Sequence, residues 1–549
     1  MLGAGPQPAA ARRAAQLALP LALAVLALVV WRSAFLIDDA FISFRYAKHW
    51  AAGDGLVYNL GDAAERVEGY SNLLWVALLA LGARLGAAPH ELANALSVAC
   101  AAGTLALLRR RLARDLALDG WSVLLGCVAL AAYPVFGVWA TGGLETALFG
   151  LLLFATWGAL VAAPGESEAR LGVAAGLCGA ALVLTRVEGF LWIGGLALAA
   201  LVAHGRALPR RRVALFLAFA LLALAGQLAF RRLVYGTWVA NTVLAKSGLS
   251  GATLARGARN LATWALLFGW PVVALGAPLA ARPGRPRALV RSAALVVLGA
   301  LAYDLLTGGD WMPFFRFLAP AAAFSALLLA ALLARLPRSW RLAAGASAVA
   351  FAALPLLDVS VAPRALREAL YFREFRVGYQ TEWERWETAA LTERTTWLAR
   401  ALAAVSGPHE TWAGGAIGAI AYHSEVTVLD RNGLVNREVA AREVEPGTGT
   451  AGHDKRVPRA WFRDRAPTFY EALFAPFALP PSGPAFDEAV GQVRAMVFRD
   501  PEEAPLLGCT RVELRRADGL PGLPERATVI LLVHTDPASA RAFWSRYGL

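Results

Sequence analysis

The sequence is poor in charge and in cysteine. Of 549 residues, 17% are charged and four are cysteines, while 58% are hydrophobic and mean hydropathy is +0.50. So small a charged share excludes an ordinary soluble enzyme and points to a chain that crosses a membrane many times. Cys100, Cys127 and Cys178 fall in apolar runs and Cys509 stands alone, so no disulfide framework can be drawn. An internal repeat and a long low-complexity linker are also lacking. The first apolar run, about 16–30, has no convincing small-residue cleavage site after it and reads as a retained span rather than a cleaved signal.

The net charge of +13 invites a nucleic-acid partner, but the arginines lie in short clusters between apolar runs. Arg109-Arg110-Arg111, Arg206 with Arg210-Arg211-Arg212, and the arginines from Arg282 to Arg291 read as cytoplasmic loops under the positive-inside rule. No nucleic acid is expected. Further spans are expected near 91–108, 121–139, 144–162, 170–186, 189–204, 213–230, 261–280, 290–306, 317–335 and 340–357, each suited to the ~20 apolar residues a bilayer core requires. Residues 71–86 are ambiguous; placing them at the interface keeps every arginine cluster inside. The expectation is a polytopic α-helical membrane protein with about eleven transmembrane helices and its N-terminus inside. A membrane domain, 1–358, contains a first outer loop at about 34–90. A soluble extracytoplasmic domain, 359–549, follows.

That topology, chosen from arginines alone, gathers the unusual residues on the outer face. The most informative are Asp38 and Asp39, adjacent carboxylates where the first span leaves the bilayer. Such groups are costly to desolvate, and one raises the pKa of the other, which suits a proton acceptor. With them come Glu68-Gly69-Tyr70-Ser71-Asn72, Gly143-Leu144-Glu145-Thr146 and Thr185-Arg186-Val187-Glu188-Gly189. The same face receives Arg231-Arg232, Tyr235-Gly236, Asn241-Thr242, Lys246, and Gly308-Gly309-Asp310-Trp311 followed by Arg316. Each motif also has a bland reading: Arg186 with Glu188 as a snorkelling pair, Arg231 with Arg232 as headgroup contacts, Gly308 to Trp311 as a tight turn.

Taken together, Asp38-Asp39-Ala40-Phe41-Ile42-Ser43-Phe44-Arg45-Tyr46-Ala47, Gly53-Asp54-Gly55-Leu56-Val57-Tyr58-Asn59 and Val67-Glu68-Gly69-Tyr70-Ser71-Asn72 resemble the GT-C glycosyltransferases. They are most similar there to the actinobacterial terminal arabinofuranosyltransferases. Gly143-Leu144-Glu145-Thr146, Gly308-Gly309-Asp310, Arg316-Phe317-Leu318, Gly418-Ala419-Ile420-Ala421-Tyr422, Leu429-Asp430 and Gly433-Leu434 extend the resemblance over most of the chain. Val187, and Val239-Ala240, depart from the pattern. The resemblance implies transfer of a sugar from a polyprenyl-phosphate donor to a cell-envelope glycan acceptor outside the cytoplasmic membrane, with the active site among membrane lipids. Asp38 is then expected as general base with Asp39 as its partner. Arg231, Lys246 and Arg316 are expected at the donor phosphate. Glu68, Tyr70, Asn72, Glu145, Arg186, Glu188, Asn241 and Asp310 are expected at sugar or acceptor. One phosphate calls for no cofactor, since arginine and lysine neutralise it, though a divalent cation stays open.

In the soluble part, 381–404 reads as an amphipathic helix. Gly414-Gly415-Ala416-Ile417-Gly418 precedes a helix and the strand Val426–Asp430, and strand-like runs follow at 509–515 and 527–534. This is an α/β unit, but the glycine spacing is not the dinucleotide G-x-G-x-x-G. Two rival functions remain: a lipid-linked sugar transporter, which requires polar residues in mid-span where Gln227 is one of few, and a non-catalytic glycan-binding scaffold, which has no need of Asp38-Asp39.

Overall fold

The computed structural model describes residues 8–61, 65–163, 167–245, 248–357, 382–403, 410–443, 467–470, 511–516 and 529–534, with isolated positions at 363, 365, 406, 455, 457, 461 and 465. Among them, eight helices are long and apolar enough to cross a membrane, from α1 (Ala9–Ser33) to Arg338–Leu357. Their exposed side chains include Trp31, Leu222, Leu233 and Trp340, the apolar outer surface that lipid requires. Two further crossings are broken. Pro134 interrupts the helix after Gly120–Ala132, and the chain bends by 62° into Pro134–Ala140. The run expected as one span at 261–280 breaks at Gly269, whose φ of +41° only glycine adopts freely, and Trp270–Ala280 leaves at 92° to Gly251–Phe268.

Counting each bent pair once gives up to ten crossings among the described residues by length and composition. The expected span 144–162 contains the 15-residue helix Thr146–Leu160, about 22 Å long at 1.5 Å per residue, which runs from the glycine-rich turn at Gly142-Gly143 to the end where Arg212 holds the Leu160 carbonyl and so also passes between the two ends of the bundle. Residues 71–86 contain the helix Leu73–Arg84, whose 12 residues are too short to span. It buries Trp75, Val76 and Leu79 beneath the first outer loop, α2 (Asp38–Ala52) being the neighbour it packs on.

The basic loops do collect at one end of the bundle. Arg212 donates to the carbonyls of Ala159, Leu160 and Ala162 and pairs with Glu168 at 2.7 Å. Arg285 donates to Val161 O at 2.8 Å, Arg111 lies against Gly158, and Arg109 reaches Ala15 O at 3.3 Å. At the opposite end Gly142 bridges the chain just after α1, with Gly142 N donating to Phe35 O at 2.9 Å, and Trp75 Nε1 donates to Gly143 O. The polar, glycine-rich turns therefore share one end, away from the arginine clusters.

Beyond the membrane helices, Glu382–Ala403 packs on the short helix Gly418–Ser424. A five-stranded mixed sheet has β1 (Thr411–Gly414), β2 (Thr427–Asp430), β3 (Phe469–Tyr470), β4 (Arg511–Arg516) and β5 (Val529–His534) in the order β2-β1-β3-β5-β4. β1 and β2 run parallel with Gly418–Ser424 between them in the chain, a β-helix-β unit. β5 is antiparallel to both β3 and β4.

Candidate active site

α2 organises this end of the molecule. Asp38 and Asp39 occupy its first turn, where negative charge complements the helix dipole, and Gly53 closes it at φ +101° with amide bonds back to His49 and Trp50. At 3.6 residues per turn, positions 38, 41 and 45 share one face and 39, 43 and 46 another.

The first face is welded to the C-terminal domain. Asp38 accepts two backbone amides, Gly418 N on Oδ2 and Ala419 N on Oδ1, both at 2.8 Å. One helical face further on, Arg45 is almost fully buried and donates to Tyr58 O at 2.6 Å, to Val426 O at 3.1 Å and to Ala421 O. Phe41 packs edge-on against Tyr422, ring centroids 5.5 Å apart. The approach is too close for any side chain at 418: a Cβ there would lie 1.8 Å from Asp38 O. Tyr58 Oη donates to Ile417 O at 2.8 Å, and the Asn59 side chain pairs with both backbone groups of Val428. Asn241 Nδ2 donates to Gly433 O and Leu434 O at 2.6 and 2.9 Å. Asp38 and Asn241, expected at catalysis and sugar, are thus found in a joint between outer loops and the sheet.

The second face of α2 leads to a buried charged network. Ser43 Oγ donates to Asn72 Oδ1 at 3.2 Å, and Asn72 Nδ2 donates to Glu145 Oε2 at 2.7 Å. Glu145 Oε1 accepts from Arg186 Nη1 at 2.6 Å, and Arg186 Nε donates to Glu188. Arg316 pairs with Asp310, Nε to Oδ2 at 2.6 Å. Both guanidinium groups stack toward Phe317, at 5.7 and 5.2 Å. Arg186, Glu188, Trp192, Tyr303, Arg316 and Phe317 line one cleft at the ends of their helices away from the arginine clusters.

The loop that delivers Arg316 is strained. Phe314 and Phe315, both fully buried, stand at φ +53° and +50°, a conformation that costs an ordinary residue ~1–2 kcal/mol. Trp139 Nε1 holds this turn by donating to Pro313 O at 3.1 Å and Phe314 O at 3.3 Å. Strain maintained by fixed packing is a recurrent property of functional sites.

A third group sits beside these. Arg231 Nε donates to Glu68 Oε2 at 2.7 Å, and Tyr70 Oη meets Tyr235 Oη at 3.0 Å. Burial raises the Glu68 pKa, and the Arg231 guanidinium offsets part of that rise. Arg231 Nη2 is buried with no hydrogen-bond acceptor among the described residues. Lys246, expected at the phosphate, lies outside the described residues. Among the described residues no group of three or more His, Cys, Asp or Glu is arranged to hold a metal ion.

Of the expected residues, Arg186, Glu188 and Arg316 line the cleft, while Asn72, Glu145 and Asp310 support them through hydrogen bonds. Glu68, Tyr70 and Arg231 form the adjoining group, and Asp39 lies half-buried on the face of α2 that carries Ser43. Sequence reasoning missed Tyr303 and Trp192, which sit in apolar helices without a motif. It also missed Arg45 as a working residue, although its spacing of seven from Asp38 places both on one helix face. The cleft is lined by one carboxylate, Glu188, and two guanidinium groups, Arg186 and Arg316, which the buried Glu145 and Asp310 hold from behind. Such a set holds hydroxyl groups through acceptors and donors alike, whereas the spare donor on Arg231 suits an oxyanion.

Residues 375–482 match a family described as "Domain of unknown function (DUF8728)". A terminal β-(1→2)-arabinofuranosyltransferase of Mycobacterium tuberculosis is 33% identical over 229 residues. The match spans 39% of this chain and 35% of that relative, about a third of its length. Among solved structures, ArnT from Cupriavidus metallidurans bound to undecaprenyl phosphate superposes with a TM-score of 0.51 at 15% identity, over 76% of this chain and 85% of that one. The chain is a polytopic membrane protein of the GT-C fold, homologous over part of its length to a terminal arabinofuranosyltransferase.

Proposed function

We propose that the protein transfers a sugar, an arabinofuranosyl residue, from a polyprenyl-phosphate donor to a cell-envelope glycan on the extracytoplasmic side of the inner membrane. The observation that carries this reading is the cleft where Glu188, Arg186 and Arg316 meet the aromatic rings of Trp192, Tyr303 and Phe317. Paired carboxylates and guanidinium groups match sugar hydroxyls, and flat rings match a sugar's apolar face. The donor phosphate takes the adjoining Arg231, whose Nη2 is the spare donor. Arg316 lies where its charge stabilises the phosphate as it leaves. The acceptor hydroxyl gives its proton to a carboxylate of the Asp38-Asp39 pair while its oxygen bonds to the anomeric carbon. The bond from that carbon to the phosphate oxygen breaks, and its electron pair stays on polyprenyl phosphate.

The partial homology to an arabinofuranosyltransferase supports the sugar, and the gathering of arginine clusters at the end opposite the cleft supports an extracytoplasmic site. The test is transfer from purified polyprenyl-phosphoryl arabinofuranose to an arabinan acceptor, run beside the hexose and other pentose donors. Transfer from another donor alone would reassign the sugar; release of the bound lipid with no glycoside formed would remove the transferase reading.

A further inference from the structure

The helix Arg210–Tyr235 runs from the arginine-cluster end of the bundle, where Arg212 pairs with Glu168, to the opposite end, where Arg231 pairs with Glu68. Between those two arginines its one polar side chain is Gln227. Gln227, Arg231 and Tyr235 follow at intervals of four and share one face, the buried one. The last two are tied to the first outer loop, Arg231 Nε donating to Glu68 and Tyr235 Oη to Leu56 O at 3.1 Å. Gln227 and Arg231 are 3% and 4% exposed, and Gln227 Nε2 and Arg231 Nη2 are both buried without an acceptor among the described residues. A buried amide in a membrane helix commonly bonds to a neighbouring helix. Here the packing on Glu168–Thr185 is made by small against large residues instead, Gly172, Gly176 and Gly179 lying against Leu215, Phe219 and Phe216.

We propose that Gln227 Nε2 and Arg231 Nη2 form a two-pronged seat for the phosphate of a polyprenyl-phosphate lipid, with Gln227 as a specificity residue for the charged head group. The proposal rests on the donor-site reading above and adds its second prong. Four residues separate the two donors by ~6 Å along the helix, a gap that the oxygens of one phosphate bridge when each accepts an N–H at ~2.8 Å. Gln227 lies one turn inside Arg231, on the hydrocarbon side, so an anion reaching it has to arrive on a lipid. The outward side of the same turn is open: Ala225, Gly226 and Ala229 are exposed, and a Cβ at 226 would meet nothing within 4 Å. They make a shallow strip between the exposed Leu222 and Leu233, where an isoprenoid chain can lie. The amide adds a donor without adding charge, so the balance of Arg231 with Glu68 is kept while a phosphate is favoured over an alcohol on the same chain.

The experiment uses the full chain in nanodiscs and two probes, farnesyl phosphate and farnesol, which differ only in the phosphate. Equilibrium binding of both is measured for the wild type and for Gln227→Leu, Gln227→Met and Gln227→Glu. The two apolar variants suit a membrane helix and should unfold at or above the wild-type temperature, since they remove an amide that the fold leaves without an acceptor. They should weaken farnesyl phosphate by ~10–100-fold, the size of one hydrogen bond to a charged group, and leave farnesol unchanged. Gln227→Glu sets a like charge beside the phosphate and should weaken it at least as much. Equal losses for both probes would assign Gln227 to the chain or the fold. Unchanged affinity for farnesyl phosphate would overturn the seat. A wild-type chain that binds farnesyl phosphate through Gln227 but transfers no sugar would keep the seat and sink the transferase reading. Sugar transfer with phosphate affinity untouched in Gln227→Leu would do the reverse.

Discussion

Replacing Arg186 by methionine is the most severe single change that the cleft offers. Methionine keeps an unbranched apolar stem but loses the guanidinium that joins Glu145 to Glu188. Those carboxylates are 2% and 7% exposed, so water cannot replace the lost partner. Glu145 retains the Asn72 amide, which leaves it partly satisfied. Breaking a buried pair by removing one partner costs ~3–5 kcal/mol, because a charge is left uncompensated. Glu145→Gln removes one of those charges while keeping an acceptor, and its cost is ~1 kcal/mol, the difference between a charged and a neutral hydrogen bond. In the double variant one orphan charge has gone, so its cost should fall below the sum of the singles by ~0.5–3 kcal/mol. Detergent-titrated unfolding in mixed micelles, followed by tryptophan fluorescence, measures all three. A single-variant cost under ~1 kcal/mol, or strict additivity, would refute the view of Arg186 as the keystone of this network.

Arg45→Lys should loosen the joint although charge is kept, since one ammonium cannot reach Tyr58 O and Val426 O together as the planar guanidinium does. Faster amide exchange across 418–426 is expected, and wild-type exchange would contradict it. Asp430, fully buried in the turn that Asn241 holds, is pushed up to about 6 by burial, against the pull of the backbone amides it accepts. Its folded value exceeds its unfolded one, so its contribution is fully present below pH ~4 and is lost as pH rises toward 6. Asp430→Asn should flatten that part of the stability profile; an unaltered slope would show that other groups set it. Trp139→Phe removes the indole donor from the strained turn before Arg316, a loss of ~0.5–1.5 kcal/mol. Donor dissociation constants should rise ~2–10-fold by equilibrium binding, and an unchanged constant would detach that turn from donor recognition.

The span count was largely legible, because apolar length and arginine placement are properties of single segments. The breaks at Tyr133–Pro134 and Gly269 were less so. Each is a local backbone event inside an apolar run, and hydropathy averaged over a window passes over it. The ion pairs behind the cleft were legible as candidates too, since Glu145, Arg186, Glu188 and Asp310 are charged residues near helix ends that a bilayer tolerates only when they have partners. What sequence did not separate was contact from catalysis. Asp38 and Asn241, expected at the site, and Arg45, Tyr58 and Asn59, which stand in the same motifs, all make contacts to the C-terminal domain. Their partners are backbone groups hundreds of positions away, and nothing in a linear pattern marks a carbonyl as an acceptor.

The bond from Asp38 to Gly418 joins positions 380 residues apart, and it has a consequence for the order in which the protein is made. At the ~5–20 residues per second of chain synthesis, α2 waits on the order of 20–80 s before its partner helix exists. During that interval the carboxylate of Asp38 lacks its two amides, and of the partners of Arg45 only Tyr58 O has been made. A nascent or truncated chain that already has its membrane helices therefore presents an untethered α2. The geometry of α2 becomes fixed only when the segment that carries Gly418 and Ala419 has been made and has docked against Asp38.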